Sequence, residues 1–358
     1  MSAIRRAALA AALTLVASPA FAKSDGFARV TIPVTPRVHL IQRPIATDAP
    51  YEGNVEVIEQ SDGLVVVDAG GAPPAGVHIV AAIRKLSKKP VKFLIYTHYH
   101  GDHNLGAGAF LKAWPHLVIV STEATRASMT GKPMDYIKTY SNDYAGAIAF
   151  WKKRLEGNDL SPAGRAGAQQ MVDVGDSIVA GYRDMRAWPA TLTFTDKLTI
   201  PDSQTPVEVM FLGRANTDGD AVIWVPSEKV IVTGDIVVNP IPYAAASYPT
   251  SWLGVLDKIE AYDFAWLIPG HGDVETGHAY LDKVKDTLKQ VQAQVVPLAQ
   301  KGVALDDVYK QTDFKVLTAS YAGDNRWLAN AFDSFFLHSL IKNVYFEATG
   351  QPIVQGTY

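Results

Sequence analysis

The chain has 358 residues, of which 48% are hydrophobic and 19% charged, a balance that suits one large globular domain with additions and a sizeable core. Its formal net charge of −3 excludes the basic excess with which a nucleic-acid-binding surface neutralises phosphates. The absence of cysteine excludes disulfides and thiolate metal ligands.

The N-terminus reads as a secretory leader. Arg5 and Arg6 supply the positive region, Ala7 to Ala17 form a short apolar stretch, and Ala20-Phe21-Ala22 is a small-residue cleavage pattern before Lys23. The apolar run is well short of the ~20 residues a spanning helix needs, so no stable membrane insertion is expected after cleavage. Removing residues 1–22 takes two arginines and no acid, which moves the charge from −3 to −5. A periplasmic or secreted protein is the expectation.

Strand patterns follow. Arg29–Val34 and Val38–Gln42 alternate, and Val55–Gln60 and Leu64–Asp68 flank Ser61-Asp62-Gly63 as a hairpin. Leu64-Val65-Val66-Val67 is a continuous apolar run, as in a strand buried on both faces. Ala75–Leu86 reads as helix, Val91–Tyr96 as a second buried strand and Leu117–Ser121 as a further short one. From about Glu123 to Trp188 the pattern turns helical, with Tyr136, Tyr140, Tyr144, Ile148, Trp151 and Leu155 recurring every three to four residues. Ser161 and Pro162 mark the start of another helix, whose face carries Met171, Ile178, Tyr182 and Met185. We read this segment as a helical insertion whose aromatic stripe is core packing, with one or two rings available to line an entrance.

Strands return at Leu192–Phe194, Lys197–Ile200, Val207–Leu212, Ala221–Val225 and Val230–Thr233. Beyond Pro269 the chain is mostly helical. Leu281, Val284, Leu288, Val291, Val295 and Leu298 form one amphipathic face, and Trp327 to Ala348 forms another helix, stopped by Gly350 and Pro352. Two blocks of strands, each followed by helices, predict an α/β fold in which two sheets pack face to face between helix layers, a four-layer αββα sandwich. The expected division is a leader at 1–22, a main domain at 23–280 with its insertion at about 123–190, and a helical extension at 281–358 packed on it.

The chemistry concentrates in one turn. Three of the nine histidines lie in His98-Tyr99-His100-Gly101-Asp102-His103, directly after the Val91–Tyr96 strand. Imidazole and carboxylate suit zinc and similar divalent ions. His98 and His100 can serve one ion, and Asp102 and His103, on another part of the turn, a second. His39, His78, His116 and His338 are isolated and read as structural, and His278 reads as surface or as support near a helix start. No Gly-Xaa-Ser-Xaa-Gly serine elbow and no Gly-rich phosphate loop is present.

The HxHxDH turn resembles the signature of the metallo-β-lactamase superfamily, and the resemblance extends over about residues 28–280. Asp68, in Val66-Val67-Asp68-Ala69-Gly70, is similar to the family's supporting aspartate. Asp235 matches its bridging aspartate, and His271, in Pro269-Gly270-His271-Gly272, its last histidine ligand. One motif departs: in Gly213-Arg214-Ala215-Asn216-Thr217-Asp218-Gly219-Asp220 the position of the family's histidine is taken by Asn216. The resemblance thus implies a first site of His98, His100 and Asn216, a second of Asp102, His103 and His271, and Asp235 bridging both. An amide oxygen is a weaker donor than imidazole, and Asp218 and Asp220 stand nearby as alternatives.

The implied cofactor is Zn2+, one or two ions, with iron or manganese also compatible with these ligands. A divalent ion lowers the pKa of bound water from 15.7 toward about 7. The expected activity is hydrolysis of a small ester, thioester, lactone or amide, a β-lactam among them, by metal-activated hydroxide, with Asp102 and Asp235 as the catalytic carboxylates. The expected partner is a small-molecule substrate, not nucleic acid, and no oligomeric state is implied. The competing expectation, motivated by Asn216, is a non-catalytic exported binding protein with a remnant metal site. The loops Asn239–Tyr243 and Tyr248–Trp252, which follow Asp235, are candidates for a substrate wall.

Overall fold

The computed structural model describes residues 26–43, 52–158, 160 and 162–356. The leader and the Ser161 helix start lie outside these residues. Among the described residues thirteen strands form in chain order: β1 (Val30–Pro33), β2 (Val38–Gln42), β3 (Val55–Glu59), β4 (Leu64–Val67), β5 (Val91–Ile95), β6 (Val118–Thr122), β7 (Leu192–Phe194), β8 (Lys197–Ile200), β9 (Val207–Phe211), β10 (Ala221–Val225), β11 (Val230–Gly234), β12 (Trp266–Pro269) and β13 (Glu275–Thr276). The first sheet runs β1 to β7 in sequence order, and the second is ordered β13-β12-β11-β10-β9-β8. Neighbours are antiparallel from β1 to β4 and parallel from β4 to β7; in the second sheet only β11 and β12 are parallel.

The Leu64–Val67 run shows how sequence becomes layering. Side chains alternate across a strand. Val65 and Val67 point into the core between the sheets, with Ile95 and Val120 from the first sheet and Val209, Ile223 and Val232 from the second. Leu64 and Val66 point the other way, against Ile79, Ile83 and Phe110. Those three belong to helices Pro73–Leu86 and Ala107–Ala113. Both faces are apolar, so no residue of this strand needs to be polar. On the far side, helices Pro249–Glu260, Ala279–Gln300 and His338–Thr349 cover the second sheet, with Trp252, Val284, Leu288 and Leu340 packed over Val222 and Ile231. The result is the expected αββα sandwich.

Between β6 and β7 the chain makes helix Glu123–Thr130, a 3-10 segment Lys132–Lys138, and two long helices, Tyr140–Glu156 and Pro162–Gly181. Tyr144 and Ile148 from one helix pack on Val174 and Ile178 from the other, and Phe27, Ala72 and Ala75 lie against the pair.

Several elements differ from expectation. The expected Tyr248–Trp252 loop is instead the start of helix Pro249–Glu260, whose Trp252, Val255, Leu256 and Ile259 recur at helical spacing and are buried in the core, so Trp252 forms no substrate wall. Short helices Leu305–Gln311 and Lys315–Ala322 and strand β12 were not anticipated. The expected single helix 327–348 is Arg326–Ala331, a π-helical turn Phe332–Leu337 and His338–Thr349. A π turn admits one extra residue per turn, and Phe332, Phe336 and Leu337 all stay buried across it. The stop is as expected, with Gly350 left-handed at φ 70°. Among the described residues no helix is long and apolar enough to cross a membrane.

Candidate metal centre

The carboxyl ends of the parallel strands in both sheets meet at one edge of the sandwich, where open α/β sheets characteristically hold ligands. Asp68 follows β4, Thr97 to His103 follow β5, Asp235 follows β11 and His271 follows β12. Backbone bonds stitch the two sheets together here. Ala221 N–H donates to Thr97 O at 2.7 Å, and Asn54 N–H to Gly270 O at 2.7 Å. The Asn54 side-chain amide also donates to Pro269 O and Gly272 O, both at 2.9 Å, which holds the loop that carries His271.

Six side chains converge in two groups of three: His98, His100 and Asp235, and Asp102, His103 and His271. His98 Nε2 lies 2.9 Å from His100 Nδ1 and 3.5 Å from Asp235 Oδ2. His103 Nε2 lies 3.2 Å from His271 Nε2 and 3.5 Å from Asp102 Oδ2, and His271 Nε2 lies 3.0 Å from that same oxygen. Asp235 faces both groups, since its Oδ1 is 3.2 Å from His103 Nε2 and 3.5 Å from His271 Nε2. Donors at 2.0–2.1 Å around a tetrahedral zinc lie about 3.3 Å apart. The observed separations bracket that value.

Protons on the outer nitrogens are fixed by one carboxylate. Asp68 Oδ2 accepts from His103 Nδ1 at 2.7 Å and from the Thr97 hydroxyl at 2.7 Å, while its Oδ1 accepts Thr97 N–H at 2.8 Å. The Thr97 proton is thereby used, so Thr97 Oγ1 accepts from His98 Nδ1 at 3.0 Å. Both imidazoles then carry a proton on Nδ1 and face the interior with Nε2. A ring nitrogen facing two or more other acceptors is the arrangement a cation relieves. Asp68 sits at φ 60°, a left-handed conformation that Asp tolerates better than most residues.

The electrostatics agree. Burial disfavours a charged His103, yet Asp235, Asp102 and Asp68 together hold its proton well above the usual imidazole range. Burial likewise opposes ionisation of Asp102 and Asp235, and the surrounding imidazoles outweigh it, keeping both carboxyls below their ordinary range. His100, with burial and His98 acting together, is lowered to about 3 and stays neutral. Close packing leaves no slack: a side chain at Gly53 would enter the His103 ring, and one at Gly270 would meet Asp235 Oδ1.

Asn216 is fully buried, and neither its Oδ1 nor its Nδ2 has a hydrogen-bond partner. Of the two nearby acids, Asp218 also has a buried oxygen, Oδ1, without a hydrogen-bond partner, whereas Asp220 is satisfied. Asp220 Oδ2 accepts the N–H groups of Ala215 and Thr217 at 3.2 and 2.7 Å, and its Oδ1 accepts the Thr217 hydroxyl at 2.9 Å, so Asp220 serves the turn. His278 stacks on Phe264 at 4.4 Å and His338 on Tyr309 at 4.4 Å, as structural histidines do.

Sequence reasoning missed Thr97, Asn54 and the role of the Tyr99 ring. The Tyr99 and Tyr243 rings both stand edge-on to His100, at 4.6 and 5.5 Å. Tyr243 places the Asn239–Tyr243 loop beside the cluster. From the insertion, the Tyr136 hydroxyl accepts Gly101 N–H at 2.9 Å. The tyrosine stripe therefore divides: Tyr144 is core, and Tyr136 reaches the metal-binding turn. Thr97 had no sequence signal beyond its place before His98.

Known proteins share this architecture. The chain is similar to a linear primary-alkylsulfatase from Pseudomonas sp. (strain ATCC 19151), 23% identical over 74% of this chain and 51% of the relative. It is 30% identical to a type 2 metallo-beta-lactamase from Bacteroides fragilis over 22% of this chain and 34% of that protein. It thus spans about half or less of the length of these curated relatives. Among solved structures, a stereoselective inverting sec-alkylsulfatase from Pseudomonas sp. superposes with a TM-score of 0.58 at 19% identity, over 89% of this chain and 50% of that one. A metallo-beta-lactamase from Pontibacter korlensis superposes with a TM-score of 0.50 at 16% identity, over 73% of this chain and 99% of that one. These likenesses give the fold. The family model of the metallo-beta-lactamase superfamily matches residues 49–271, most of the chain and all of the converging residues, and the chain belongs to that superfamily.

Proposed function

We propose that this protein is a metal-dependent hydrolase of small esters. The observation that carries the reading is the inward convergence of two triads on a shared Asp235, with Asp68 fixing the imidazole tautomers. The donors are nitrogen and oxygen only, which fits Zn2+ and also iron or manganese. His98, His100 and Asp235 Oδ2 would hold one ion, and Asp102, His103, His271 and Asp235 Oδ1 the second. The unpartnered Asn216 amide is our candidate to complete the first set through its oxygen.

A bound divalent ion supplies a Lewis acid and brings the pKa of coordinated water toward about 7. The chain's own residues supply the rest. Asp235 holds the two triads at one distance. Asp102 is the most exposed of the six, its side chain 30% accessible, and His103 and His271 keep it ionised. Its carboxylate oxygen not turned to those imidazoles would take a proton from the attacking water and pass it to the leaving oxygen. Tyr99 and Tyr243 screen His100 from bulk water.

Within esters, sulfate esters of alkyl alcohols come first, because the curated alkylsulfatase matches 74% of this chain against 22% for the curated lactamase, and the solved alkylsulfatase 89% against 73% for the Pontibacter korlensis lactamase. β-Lactams and carboxylate esters follow. The deciding experiment is metal analysis of the purified protein with turnover of an alkyl sulfate, a carboxylate ester, a lactone and a β-lactam, before and after zinc addition. Zinc-dependent turnover of one of them is expected. Protein that binds no ion and turns over none of them would leave the non-catalytic binding reading in place.

A further inference from the structure

The C-terminal region does more than cover the second sheet. The loop 244–248 follows Tyr243 and is held from two places in the last helices. Asn343, fully buried, donates from Nδ2 to Ala244 O at 2.9 Å, Ala245 O at 3.2 Å and Ser247 Oγ at 3.2 Å. Ala244 N–H donates to Phe335 O at 3.2 Å. Beyond Gly350 the chain returns across the molecule. Gln355 Nε2 donates to Ala246 O at 2.9 Å and to the Tyr248 hydroxyl at 3.3 Å. Gly356 N–H then donates to the hydroxyl of Tyr99, between His98 and His100, at 3.1 Å. Gly356 is left-handed at φ 77° and lies against Pro133 of the insertion with no room for a side chain.

All these bonds lead to one side of the metal centre. Tyr99 and the loop's Tyr243 are the two rings edge-on to His100. Tyr248 N–H donates to Ala215 O at 2.7 Å, and Ala215 precedes Asn216. His103 and His271 have supports of their own, from Asp68 and Asn54. We infer that Asn343, Gln355 and Gly356 are positioning residues for His100 and Asn216, so that the C-terminal region sets the affinity of the first triad and not of the second. The inference rests on the metal-binding reading above.

The test is a Zn2+ titration of the metal-free full-length protein against a chromophoric chelator. The wild type is expected to show two steps, and the step lost in His100→Ala is that of the first triad. Tyr99→Phe removes the acceptor of the Gly356 bond and keeps the ring. Asn343→Leu removes the loop's donor at similar volume, and a chain ending at Gly350 removes the return segment. Each is expected to weaken the first-triad step by about tenfold or more, the low end of what outer-shell partners contribute to metal affinity, and to leave the second step at its wild-type value. Should the truncated chain fail to fold, Tyr99→Phe and Asn343→Leu carry the test. Unchanged steps in both, or equal weakening of both steps, overturns the inference. A wild type that binds no zinc overturns the metal-binding reading with it.

Discussion

His98 and His103 stand five residues apart in one turn, yet their triads are supported in different ways. His103 is gripped by Asp68 directly, and its neighbours Asp102 and His271 come from a partly open rim. His98 reaches the same Asp68 only through Thr97, and His100 is buried between two tyrosine rings. One triad is held directly by charge, the other by packing, by hydrogen bonds from Asn104 to the Tyr99 and His100 carbonyls, and by a chain segment from the far end of the sequence. A site held by packing depends on distant residues, because interiors transmit displacement. A charge-held site depends on its acceptors.

That contrast can be tested from its strongest point outward. Asp235 serves both sides, so Asp235→Ala is expected to lower metal content below one ion per chain and to abolish turnover, by more than the about 10–100-fold that outer partners are worth. Retention of two ions would remove the shared aspartate from the scheme. Asp68→Asn keeps the shape and removes the acceptor charge. It should weaken both steps of a zinc titration by about 10–100-fold, with the His103 side hit harder because its bond is direct. Metal content and heat stability should also be linked. With free zinc at about 100 times its dissociation constant, each ion stabilises the fold by about 2.7 kcal/mol, so chelation should lower the melting temperature in a calorimetric scan. Asn216→His replaces an amide oxygen with imidazole and is expected to tighten the first step about tenfold. No change would place Asn216 outside the ligand set. Smallest is Tyr136→Phe, which leaves Gly101 N–H without its acceptor. A loss of about 1 kcal/mol in a denaturant titration is expected.

How much of this was legible in the sequence depended on whether a residue acts by type or by position. The histidines and aspartates are legible because their chemistry is rare and clustered: those of HxHxDH converge with Asp235 and His271 in the fold. The continuous valine run at Leu64–Val67 was legible because a strand buried on both faces leaves no polar position. The Tyr136–Leu155 stripe gave the helix Tyr140–Glu156 but not its division of labour, since helical periodicity marks a face and not what lies against it. Thr97 and Asn54 were not legible. Each is an ordinary polar residue: the partner of Thr97, Asp68, is near only once β4 and β5 pair, and that of Asn54, the Gly270 loop, only once the two sheets pack. The return of Gly356 to Tyr99 spans 257 residues and has no local signal at all.

One contact in the roof of the molecule offers a way to watch these parts move. Trp151, on insertion helix Tyr140–Glu156, lies with its ring 5.8 Å from that of Trp327, on helix Arg326–Ala331, and Phe150 stands edge-on beside it at 5.2 Å. Two indoles so close couple their electronic transitions, so near-ultraviolet circular dichroism carries a built-in optical ruler between the insertion and the C-terminal helices. The chain carries seven tryptophans, and Trp327→Phe would isolate the contribution of this pair.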